Sequence, residues 1–473
     1  MTAFYLSAAH KSSGKTMISI GLGAALKDRG LSVQTFKKGP DYIDPIWLNQ
    51  ATKQACHNLD FYTSSNDFIQ SQYYHYSKNK DVVMVEGNKG LHDGVAVDGT
   101  DSNAAMAKLL KLPVVLVIDT LGITRGIAPL LCGYQAFDPG VEIAGVILNK
   151  VGGSRHAGKL SNAIKEYTDI PVLGVINRDK SLELCERHLG LVPGNELAGS
   201  ESSKFIDLWR DRVNQDVDLD AILALKSQQK NHLDLQFYQK TKQSRLRVAI
   251  ARDSVFGFYY PGDLERFEAL GVTLINFDTT IDPKLPDDID GLFIGGGFPE
   301  TNLNKISTNT TLLTDIKKKI ESGLPTYAEC GGLMYLCRSI QYNGVSESMA
   351  GVIGADVVLS DKPQGRGYVR LTPEKTIHPW CNNSSISSVL AHEFHYSSLK
   401  NIDPSLQYAY RVNRGYGIDG HYDGIIIYNL LASYCHLRQT DVCPWVDQFV
   451  NFISQRKTVA HNDYSQSECS QSN

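Results

Sequence analysis

A cysteine in the setting of a nucleophile lies in the middle of the second half of the chain. Cys330 follows a short apolar segment and precedes an apolar helical pattern, in the sequence Tyr-Ala-Glu-Cys-Gly-Gly-Leu-Met. This order predicts a strand, a sharp turn and a helix, and such an elbow presents a nucleophile to a pocket. The helix N-terminus is expected to favour the reactive thiolate. A buried structural cysteine is the plain alternative, but the elbow favours the nucleophile.

Glycines near this cysteine are suited to hold an oxyanion. The triple glycine that contains Gly296 and Gly297 follows the apolar segment 291–294 and offers free N–H groups at a strand end. Gly331, directly after Cys330, lets a substrate approach the backbone closely. Preorganised N–H groups stabilise the charge that develops on a carbonyl oxygen under attack. We therefore predict that Gly296, Gly297 and Gly331 form an oxyanion hole; a flexible turn is the alternative.

A thiol nucleophile also needs a base, and histidine is the usual one. His436 ends a late apolar run, and His392 and His395 share the segment Ala-His-Glu-Phe-His-Tyr-Ser. A base on one strand end can reach a nucleophile on another. The residues alone leave the choice open among these three histidines.

A phosphate-binding loop is predicted at the start of the chain. An apolar strand at residues 4–9 is followed by His-Lys-Ser-Ser-Gly-Lys-Thr and by a helical pattern from residue 17 to residue 26. Backbone N–H groups and the helix N-terminus hold phosphates in such a loop, the lysine adds a charge and the threonine hydroxyl binds Mg²⁺. The nucleotide-binding residues predicted here are Ser12, Ser13, Gly14, Lys15 and Thr16.

A second loop, residues 37–45, combines two lysines, two acids, a tyrosine and two prolines. A solvated turn is the plain alternative. The loop follows a strand, however, and ligands of α/β proteins bind at the carboxyl edge of the sheet. Tyr42 and Ile43 would be unusual in a merely solvated turn, so we favour a ligand-binding loop.

Two further strand ends carry polar side chains. Glu86 ends the buried strand 81–87, where a carboxylate beside a phosphate loop suits Mg²⁺; a capping or surface carboxylate is the alternative. Asn149 ends the strand 143–149 and is interpreted either as a reader of the adenine edge or as a turn residue. His188 is interpreted as a capping residue rather than a ligand.

Strands and helices alternate along much of the chain, which is typical of doubly wound parallel sheets. A chain of 473 residues is too long for one core, and residues 226–245 are polar and poor in aliphatic side chains. The sequence therefore predicts an α/β fold with two doubly wound domains and mostly parallel sheets, at residues 1–235 and 246–453. Residues 454–473 are polar and are predicted to be a disordered tail.

Composition excludes several classes of function. The net charge of −4 gives no reason to expect a nucleic-acid partner. The nine cysteines show no paired spacing, so reduced thiols and a cytoplasmic location are expected. No apolar run approaches the length of a membrane span, and no signal-peptide pattern is present at the N-terminus.

Together these motifs resemble the cobyrinate a,c-diamide synthase family of corrinoid biosynthesis, over about residues 3–450. The resemblance implies a dethiobiotin-synthetase-like ATP domain followed by a class I glutamine amidotransferase domain of the cobyric-acid-synthase type. The stretches that carry it are residues 12–16, 36–45, 85–87, 90–94, 186–193, 295–300, 328–333 and 392–397.

The resemblance also implies roles for the candidate residues. Cys330 would be the glutamine nucleophile and His436 its base. The loop with Lys37, Asp41, Tyr42 and Asp44 would touch the tetrapyrrole and the phosphates. Mg²⁺ would be bound by Thr16, Glu86 and Asp41, with Asp44 as an alternative to Asp41. ATP and glutamine are the implied co-substrates, and a homodimer is left open.

Four positions depart from the family pattern. Ala8, Ala9 and Ser12 stand where relatives usually carry glycine, threonine and glycine, so the geometry of the phosphate loop is expected to differ. Arg438 replaces the second histidine that follows the base. Common triad amidotransferases carry a glutamate at that position; the family lacks it, so a Cys–His dyad with slow glutamine hydrolysis is expected.

The implied reaction is ATP-dependent amidation of two tetrapyrrole carboxylates through acyl phosphates, with ammonia from glutamine. Within this class, siroheme or nickel-sirohydrochlorin is an alternative substrate. From a different class, the chain could be a partitioning-type ATPase with a degenerate amidotransferase domain as a binding module. A complete elbow around Cys330 argues against degeneracy, and a glutaminase assay distinguishes the two.

Overall fold

A computed structural model describes residues 1–179, 186–187, 190–197, 199–227, 245–374, 376–380 and 387–470 of the chain, with side chains up to residue 458. The chain divides into two compact units, Met1–Phe237 and Tyr238–Asn473. The predicted domain limits at residues 235 and 246 fall in or beside the stretch 228–244, outside the described residues, and stay predictions. His188 also lies outside them.

The first unit alternates strands and helices. In chain order its elements are β1 Thr2–Ala8, α1 Lys15–Asp28, β2 Val33–Lys38, α2 Ile43–Thr52, β3 His57–Leu59, α3 Asn66–Ser77, β4 Val82–Glu86, α4 Asn103–Leu110, β5 Val114–Asp119, α5 Ile127–Phe137, β6 Ile143–Val151, α6 Ser154–Tyr167, β7 Val172–Asn177, β8 Glu186–Arg187, β9 Gly190–Leu191, α7 Gly199–Asp216 and α8 Leu219–Leu223.

Seven of these strands form one parallel sheet in the order β3-β2-β4-β1-β5-β6-β7. The central strands are buried apolar runs, as in sheets covered on both faces. The order in which the chain adds strands reverses between β1 and β4, and ligands bind at such switch points. The pairing register sets Glu86 beside Leu6 of β1 and beside Lys37 of β2.

The second unit has more strands and fewer helices. Its elements are β10 Arg247–Ala251, β11 Phe256–Phe258, α9 Pro261–Ala269, β12 Thr273–Phe277, β13 Gly291–Ile294, β14 Gly296–Gly297, α10 Leu303–Thr308, α11 Thr310–Glu321, β15 Thr326–Glu329, α12 Gly331–Leu336, β16 Cys337–Tyr342, β17 Val345–Ser348, β18 Ile353–Leu359, β19 Gly365–Pro373, β20 Val389–His395, β21 Ser397–Lys400, β22 Gln407–Arg414, β23 Tyr422–Ile427, β24 Leu430–Ser433 and α13 Trp445–Ser470.

A nine-stranded sheet organises this unit in the order β12-β10-β13-β15-β24-β23-β22-β19-β20. The strands from β12 to β24 are parallel, and those from β24 to β20 are antiparallel. A second sheet of four strands has the order β17-β16-β18-β21. The α/β class with a phosphate-loop unit first is confirmed, but the sequence did not predict the antiparallel half.

The C-terminal helix enters the segment 454–473, whose disorder stays a prediction. Helix α13 begins at Trp445 and continues to Ser470, through the stretch for which polar composition predicts disorder. Its first turns are anchored because Trp445, Phe449 and Ile453 are buried in the core. Among the helices described, none combines the length and apolar character that crossing a membrane requires.

Candidate active sites

The elbow around Cys330 is present in the second unit. All four residues of β15 are buried, and α12 begins directly after the cysteine. Cys330 has φ 47° and ψ −100°, a conformation that costs a non-glycine residue about 1–3 kcal/mol. Its N–H donates to the Ser433 carbonyl at 2.7 Å, and its carbonyl accepts the Met334 N–H at 3.0 Å. These bonds hold the strained turn that projects the thiol from the sheet.

The predicted oxyanion glycines surround this turn. A Cβ on Gly331 would lie 2.9 Å from the Gly297 nitrogen, and one on Gly297 would lie 1.8 Å from the Val255 carbonyl oxygen. Glycine is therefore required at both positions, and their backbones lie side by side. A Cβ on Gly296 would lie 2.6 Å from Cε1 of His436, so this glycine instead makes room for the imidazole.

The sheet brings His436 to the same edge as Cys330. Strand β24 pairs with β15 in parallel, with Ser433 beside Glu329, so the chain after β24 runs along the elbow. His436 then forms an antiparallel bridge with His392: its N–H donates to the His392 carbonyl at 2.8 Å. This pairing joins two segments that are far apart in the sequence.

The two other candidate histidines have different surroundings. The His392 ring stacks on His436 at a centroid distance of 4.9 Å, and its Nδ1 lies 3.3 Å from the Tyr260 hydroxyl. Burial, and then the neighbouring His436, lower the pKa of His392 well below its usual value, so His392 is neutral. His395 binds the Ser397 carbonyl through Nδ1 at 2.8 Å and stacks on Tyr434.

An unpredicted carboxylate faces His436. Glu329, the residue before the nucleophile, places Oε2 3.4 Å from Nδ1 of His436, and both side chains are buried. Its other oxygen, Oε1, accepts the Tyr327 hydroxyl at 2.6 Å and the Leu437 N–H at 2.8 Å. The family resemblance implies only a Cys–His dyad, because the glutamate of common triads follows the histidine by two residues, where Arg438 stands here. The guanidinium of Arg438 lies over the Tyr260 ring instead.

A second buried carboxylate shapes the turn that carries His436. Asp423 accepts the Ser433 hydroxyl at 2.7 Å and the N–H groups of Tyr434 and Cys435 at 3.0 Å each. The sequence around His436 gives no signal for this role, because Asp423 belongs to the neighbouring strand β23. The contact fixes where the chain leaves β24.

Burial favours the protonated form of the Cys330 thiol. Burial raises its pKa above the ordinary value, and the Glu300 carboxylate raises it further, whereas the N–H of Gly331 acts in the opposite direction. The N–H of Gly331 at the helix start lowers the pKa, in the direction that the sequence predicts, but burial outweighs it. Since the thiolate is the nucleophile, this site needs a base to remove the proton.

The phosphate loop of the first unit closes without its first glycine. Gly14 has φ 85° and a Cβ there would lie 2.2 Å from Nδ2 of Asn149. The Asn149 amide donates to the Ser13 carbonyl at 2.9 Å and accepts the Lys150 N–H at 2.9 Å. Asn149 thus braces the loop, and its role at the adenine edge stays a prediction. Ser12, at φ 66°, supplies a second left-handed turn.

A buried ion cluster lies where β1, β2 and β4 end. Lys15 donates to Glu86 Oε1 at 2.8 Å, and Lys37 donates to the same oxygen at 2.9 Å. The Thr16 hydroxyl lies 3.1 Å from Glu86 Oε1 and 3.1 Å from Asp44 Oδ2. Lys37 also bonds Asp44. The cluster therefore joins the phosphate loop to the loop after β2.

Charges in the cluster shift two carboxyl groups in opposite directions. Burial alone would raise the pKa of Glu86, but Lys15 and Lys37 outweigh it and lower the pKa to about 2. Burial and the neighbouring Asp41 raise the pKa of Asp44 to about 7, against the effect of Lys37. Glu86 is thus anionic at neutral pH, and Asp44 is the group whose charge changes near it.

Oxygen atoms in the cluster fit a hard cation. Thr16, Glu86 and Asp44 converge within hydrogen-bond distance, and Oε2 of Glu86 is buried with no hydrogen-bond partner in the described structure. Mg²⁺ prefers such ligands and binds through one or two carboxylates together with phosphates. Asp44 rather than Asp41 lies with this set. Within the described residues, no three His, Cys, Asp or Glu side chains form a dedicated metal cluster.

The loop before α2 is ordered by its own polar groups. Asp41 accepts the N–H groups of Ile43 and Asp44 at 2.9 and 3.2 Å, and lies 3.6 Å from the Lys37 ammonium. The Asn58 amide donates to the carbonyls of Gly39 and Asp41. Tyr42, at the start of α2, is 9% exposed. Hydrogen bonds from Asn58 of β3 therefore hold the loop in a defined conformation. The sequence did not predict this contact.

Comparisons with known proteins match both units. The family model described as a CobQ/CobB/MinD/ParA nucleotide binding domain matches residues 8–192, and that of a CobB/CobQ-like glutamine amidotransferase domain matches residues 247–441. A cobyrinate a,c-diamide synthase of Magnetococcus marinus is 39% identical over 96% of this chain and 97% of its own. The enzyme of the same name from Methanosarcina acetivorans is 38% identical over 91% of each chain.

Proposed function

The chain belongs to the cobyrinate a,c-diamide synthase family, and from this premise we propose that it amidates the a and c side-chain carboxylates of cobyrinate. ATP activates each carboxylate and glutamine supplies the nitrogen. The observation that carries the proposal is that the parallel pairing of β15 with β24 brings Cys330 and His436 to one edge of the sheet, in a chain whose first unit holds a phosphate loop. A partitioning ATPase would not need a cysteine and a histidine at the same sheet edge.

Activation of the substrate belongs to the first unit. A carboxylate is a poor electrophile for ammonia, so its oxygen first attacks the γ-phosphorus of ATP, and ADP leaves. The backbone of the phosphate loop and the Lys15 ammonium balance the charge on the transferred group. The acyl phosphate that results has a good leaving group, and ammonia displaces phosphate to form the amide. The cycle then repeats on the second carboxylate.

Release of ammonia belongs to the second unit. His436 removes the thiol proton while the Cys330 sulfur attacks the side-chain amide carbon of glutamine. The N–H groups of Gly297 and Gly331 stabilise the oxyanion. The proton on His436 passes to the leaving nitrogen, ammonia departs and a glutamyl thioester remains. Water, with His436 again as base, hydrolyses the thioester to glutamate.

Thr16, Glu86 and Asp44 would hold Mg²⁺, which offsets phosphate charge when bound. The protein's own part is to keep the Thr16 hydroxyl 3.1 Å from an oxygen of Glu86 and 3.1 Å from an oxygen of Asp44. It also places the Lys15 and Lys37 charges beside Glu86. We further propose that the protein works in the cytoplasm on small molecules, without a nucleic-acid partner. Whether it forms a homodimer stays a prediction to be measured by its mass in solution.

Product analysis tests the function directly. The purified chain is incubated with ATP, glutamine and cobyrinate, and mono- and diamides are detected by mass spectrometry. Parallel reactions contain siroheme or nickel-sirohydrochlorin in place of cobyrinate. The proposal expects a diamide of cobyrinate and a glutamate for each new amide. Amidation of another tetrapyrrole with none on cobyrinate would reassign the substrate, and no amidation of any would overturn the reaction class.

The Glu86→Gln variant should lower Mg²⁺-dependent turnover about 10- to 100-fold and change the binding of the tetrapyrrole little. The charge that faces Thr16, Lys15 and Lys37 is lost. Initial rates at increasing Mg²⁺ concentration measure the effect. The thermal unfolding temperature of the variant is measured as well, because two buried lysines lose a counter-charge and the fold is expected to be less stable.

Two further variants separate the metal ligands. Asp44→Asn should raise the Mg²⁺ concentration needed for half-maximal rate more than Asp41→Asn does, because only Asp44 bonds Thr16. If Glu86→Gln hydrolyses ATP normally and does not respond to added Mg²⁺, Glu86 is structural. The reverse order for the two aspartates would return Asp41 to the metal site.

Selection of the tetrapyrrole should depend on the loop before α2. Tyr42→Ala is expected to raise the KM for the tetrapyrrole about tenfold, which corresponds to about 1.4 kcal/mol, or to raise the ratio of monoamide to diamide. Glutamine hydrolysis belongs to the other unit and should not change. Tyr42→Phe is the matched control, because it keeps the ring and removes only the hydroxyl. An unchanged KM and product ratio in Tyr42→Ala contradict the assignment.

A further inference from the structure

The proposed glutaminase site contains a buried carboxylate that faces the base and that the mechanism above does not use. Glu329 and His436 are 2% and 3% exposed, and Oε2 of the carboxylate lies 3.4 Å from Nδ1 of the imidazole. We propose that Glu329 is the positioning residue of a Cys330–His436–Glu329 triad. The proposal rests on the proposed function, because it assigns the group that orients the base of that reaction.

The surrounding contacts aim this carboxylate. Oε1 accepts two donors, the Tyr327 hydroxyl at 2.6 Å and the Leu437 N–H at 2.8 Å. Leu437 directly follows His436, so the carboxylate is bonded to the same backbone turn as the ring that it faces. With Oε1 committed in this way, Oε2 is the oxygen turned towards Nδ1. The distance of 3.4 Å is a few tenths of an ångström longer than a closed hydrogen bond, and such bonds often tighten in the reacting complex.

Three other groups that could be considered for this task have different contacts. His392 stacks on the face of the His436 ring and is neutral, since burial lowers the pKa of His392 well below its usual value. Arg438, which stands where common triads have their glutamate, is a cation over the Tyr260 ring. Asp423 bonds the strand end and not the imidazole. In the proposed triad, the acid lies at the end of the nucleophile's strand β15 and not in the segment that carries the base.

The orientation decides which nitrogen takes the proton. A carboxylate at Nδ1 holds the proton there, and Nε2 is left without one to accept the proton of the Cys330 thiol. When Nε2 is protonated, the imidazolium keeps its Nδ1–H towards Glu329, and the carboxylate stabilises the charge without itself taking the proton. Nε2 then gives its proton to the departing ammonia, and the starting tautomer returns.

The Glu329→Gln variant tests this logic sharply. The side-chain carbonyl of glutamine must take the Oε1 place, because two donors point at it, so its amide NH₂ group faces His436. That NH₂ group needs an acceptor, which forces Nδ1 to lose its proton and Nε2 to carry it. The base nitrogen is then blocked. We expect the kcat of glutaminase to fall about 10³- to 10⁴-fold, the scale of the equivalent change in serine proteases, with the KM for glutamine changed little.

Glu393→Gln is the matched control. Glu393 is a buried carboxylate 3.7 Å from Nε2 of His395, and its oxygens accept the N–H groups of Tyr416 and Gly417. Its loss should lower stability and leave the glutaminase kcat within a few fold. Equal losses in both variants overturn the proposal, because any buried carboxylate would then have the same effect.

Two readouts remain decisive where a variant folds poorly. Nitrogen-15 NMR of the wild-type protein should show His436 with its proton on Nδ1; a proton on Nε2 overturns the assignment without any variant. Amidation with external ammonia is measured on the same samples. Failure of the wild type in that assay overturns the proposed function, whereas normal amidation with unchanged glutaminase in Glu329→Gln overturns only the triad.

Discussion

A Lys15→Ala variant is expected to lose amide formation with glutamine and with ammonia alike, by about 10²- to 10³-fold or more. The lysine is the point charge of the phosphate loop, and without the acyl phosphate no nitrogen source is of use. Lys15 is buried against Glu86 at 2.8 Å, and burial lowers its pKa. Its loss leaves that carboxylate facing ATP phosphates with one cation fewer. Amide yield with each nitrogen source measures the effect.

Hydrolysis of glutamine distinguishes loss of chemistry from loss of the fold. The second unit does not contain Lys15, so release of glutamate should persist in the variant. Lys27→Ala, on the exposed last turn of the same helix, is the matched control and should amidate normally. Wild-type turnover of Lys15→Ala with ammonia contradicts the assignment of the loop, and equal losses in both variants point to a damaged helix instead.

The elbow around Cys330 was predictable because its signal is local. A short apolar approach, a cysteine and two glycines specify a strand, a strained turn and a helix within residues 326–336, and no distant partner is needed to recognise them. The phosphate loop is local in the same way, since Gly14 and Lys15 lie between β1 and α1. The motif was recognisable even without its first glycine. In the structure, Asn149 from another strand braces the loop.

The proposed base and its acid were harder to predict, because both depend on pairings between distant segments. His436 reaches the sheet edge that carries Cys330 because β24 pairs with β15, about a hundred residues earlier in the chain. Glu329 ends a buried strand as Glu86 does, and a strand end alone does not say which side chain it will face. The residue two positions after His436 indicated a Cys–His dyad. Only the pairing of β15 with β24 shows that Glu329 faces His436.

Electrostatic properties were the least predictable. A cysteine at a helix start suggests a low thiol pKa, but the elbow is buried and burial raises it. In the loop after β2, Asp41 and Asp44 are three residues apart and equivalent as sequence. Only the start of α2 separates them, since it turns Asp41 towards backbone N–H groups and Asp44 towards Thr16.

Cys330→Ser is expected to lose the glutamine-dependent reaction by about 10³-fold or more and to keep the ammonia-dependent one. The substitution preserves the shape of the elbow but replaces the thiol with a hydroxyl, whose pKa is far higher. The Cys330 thiol already has a raised pKa because it is buried, and an alcohol at the same position is harder still to deprotonate. The first unit, with Lys15 and Glu86 intact, still forms the acyl phosphate.

Ammonia then serves as the test of separable chemistry. At high ammonium concentration and raised pH, more of the nitrogen is in the nucleophilic form, and diamide formation by Cys330→Ser should return to the wild-type ammonia rate. Glutamate release, measured on the same samples, should stay absent. If Cys330→Ser fails with ammonia as well, the two halves do not act independently and the mechanism is wrong.

The choice of base is decided by comparing histidine variants under the same two conditions. His436→Ala should resemble Cys330→Ser with one difference: its residual glutaminase should increase with pH, because the remaining thiol has a raised pKa and forms more thiolate as the solution becomes more alkaline. His395→Ala is the control, since Nδ1 of His395 is bonded to Ser397 and its ring stacks on Tyr434. A His395→Ala variant that loses glutaminase while His436→Ala retains it would show that the base is the other histidine; the expected pattern is the reverse, with ammonia-dependent amidation intact in both.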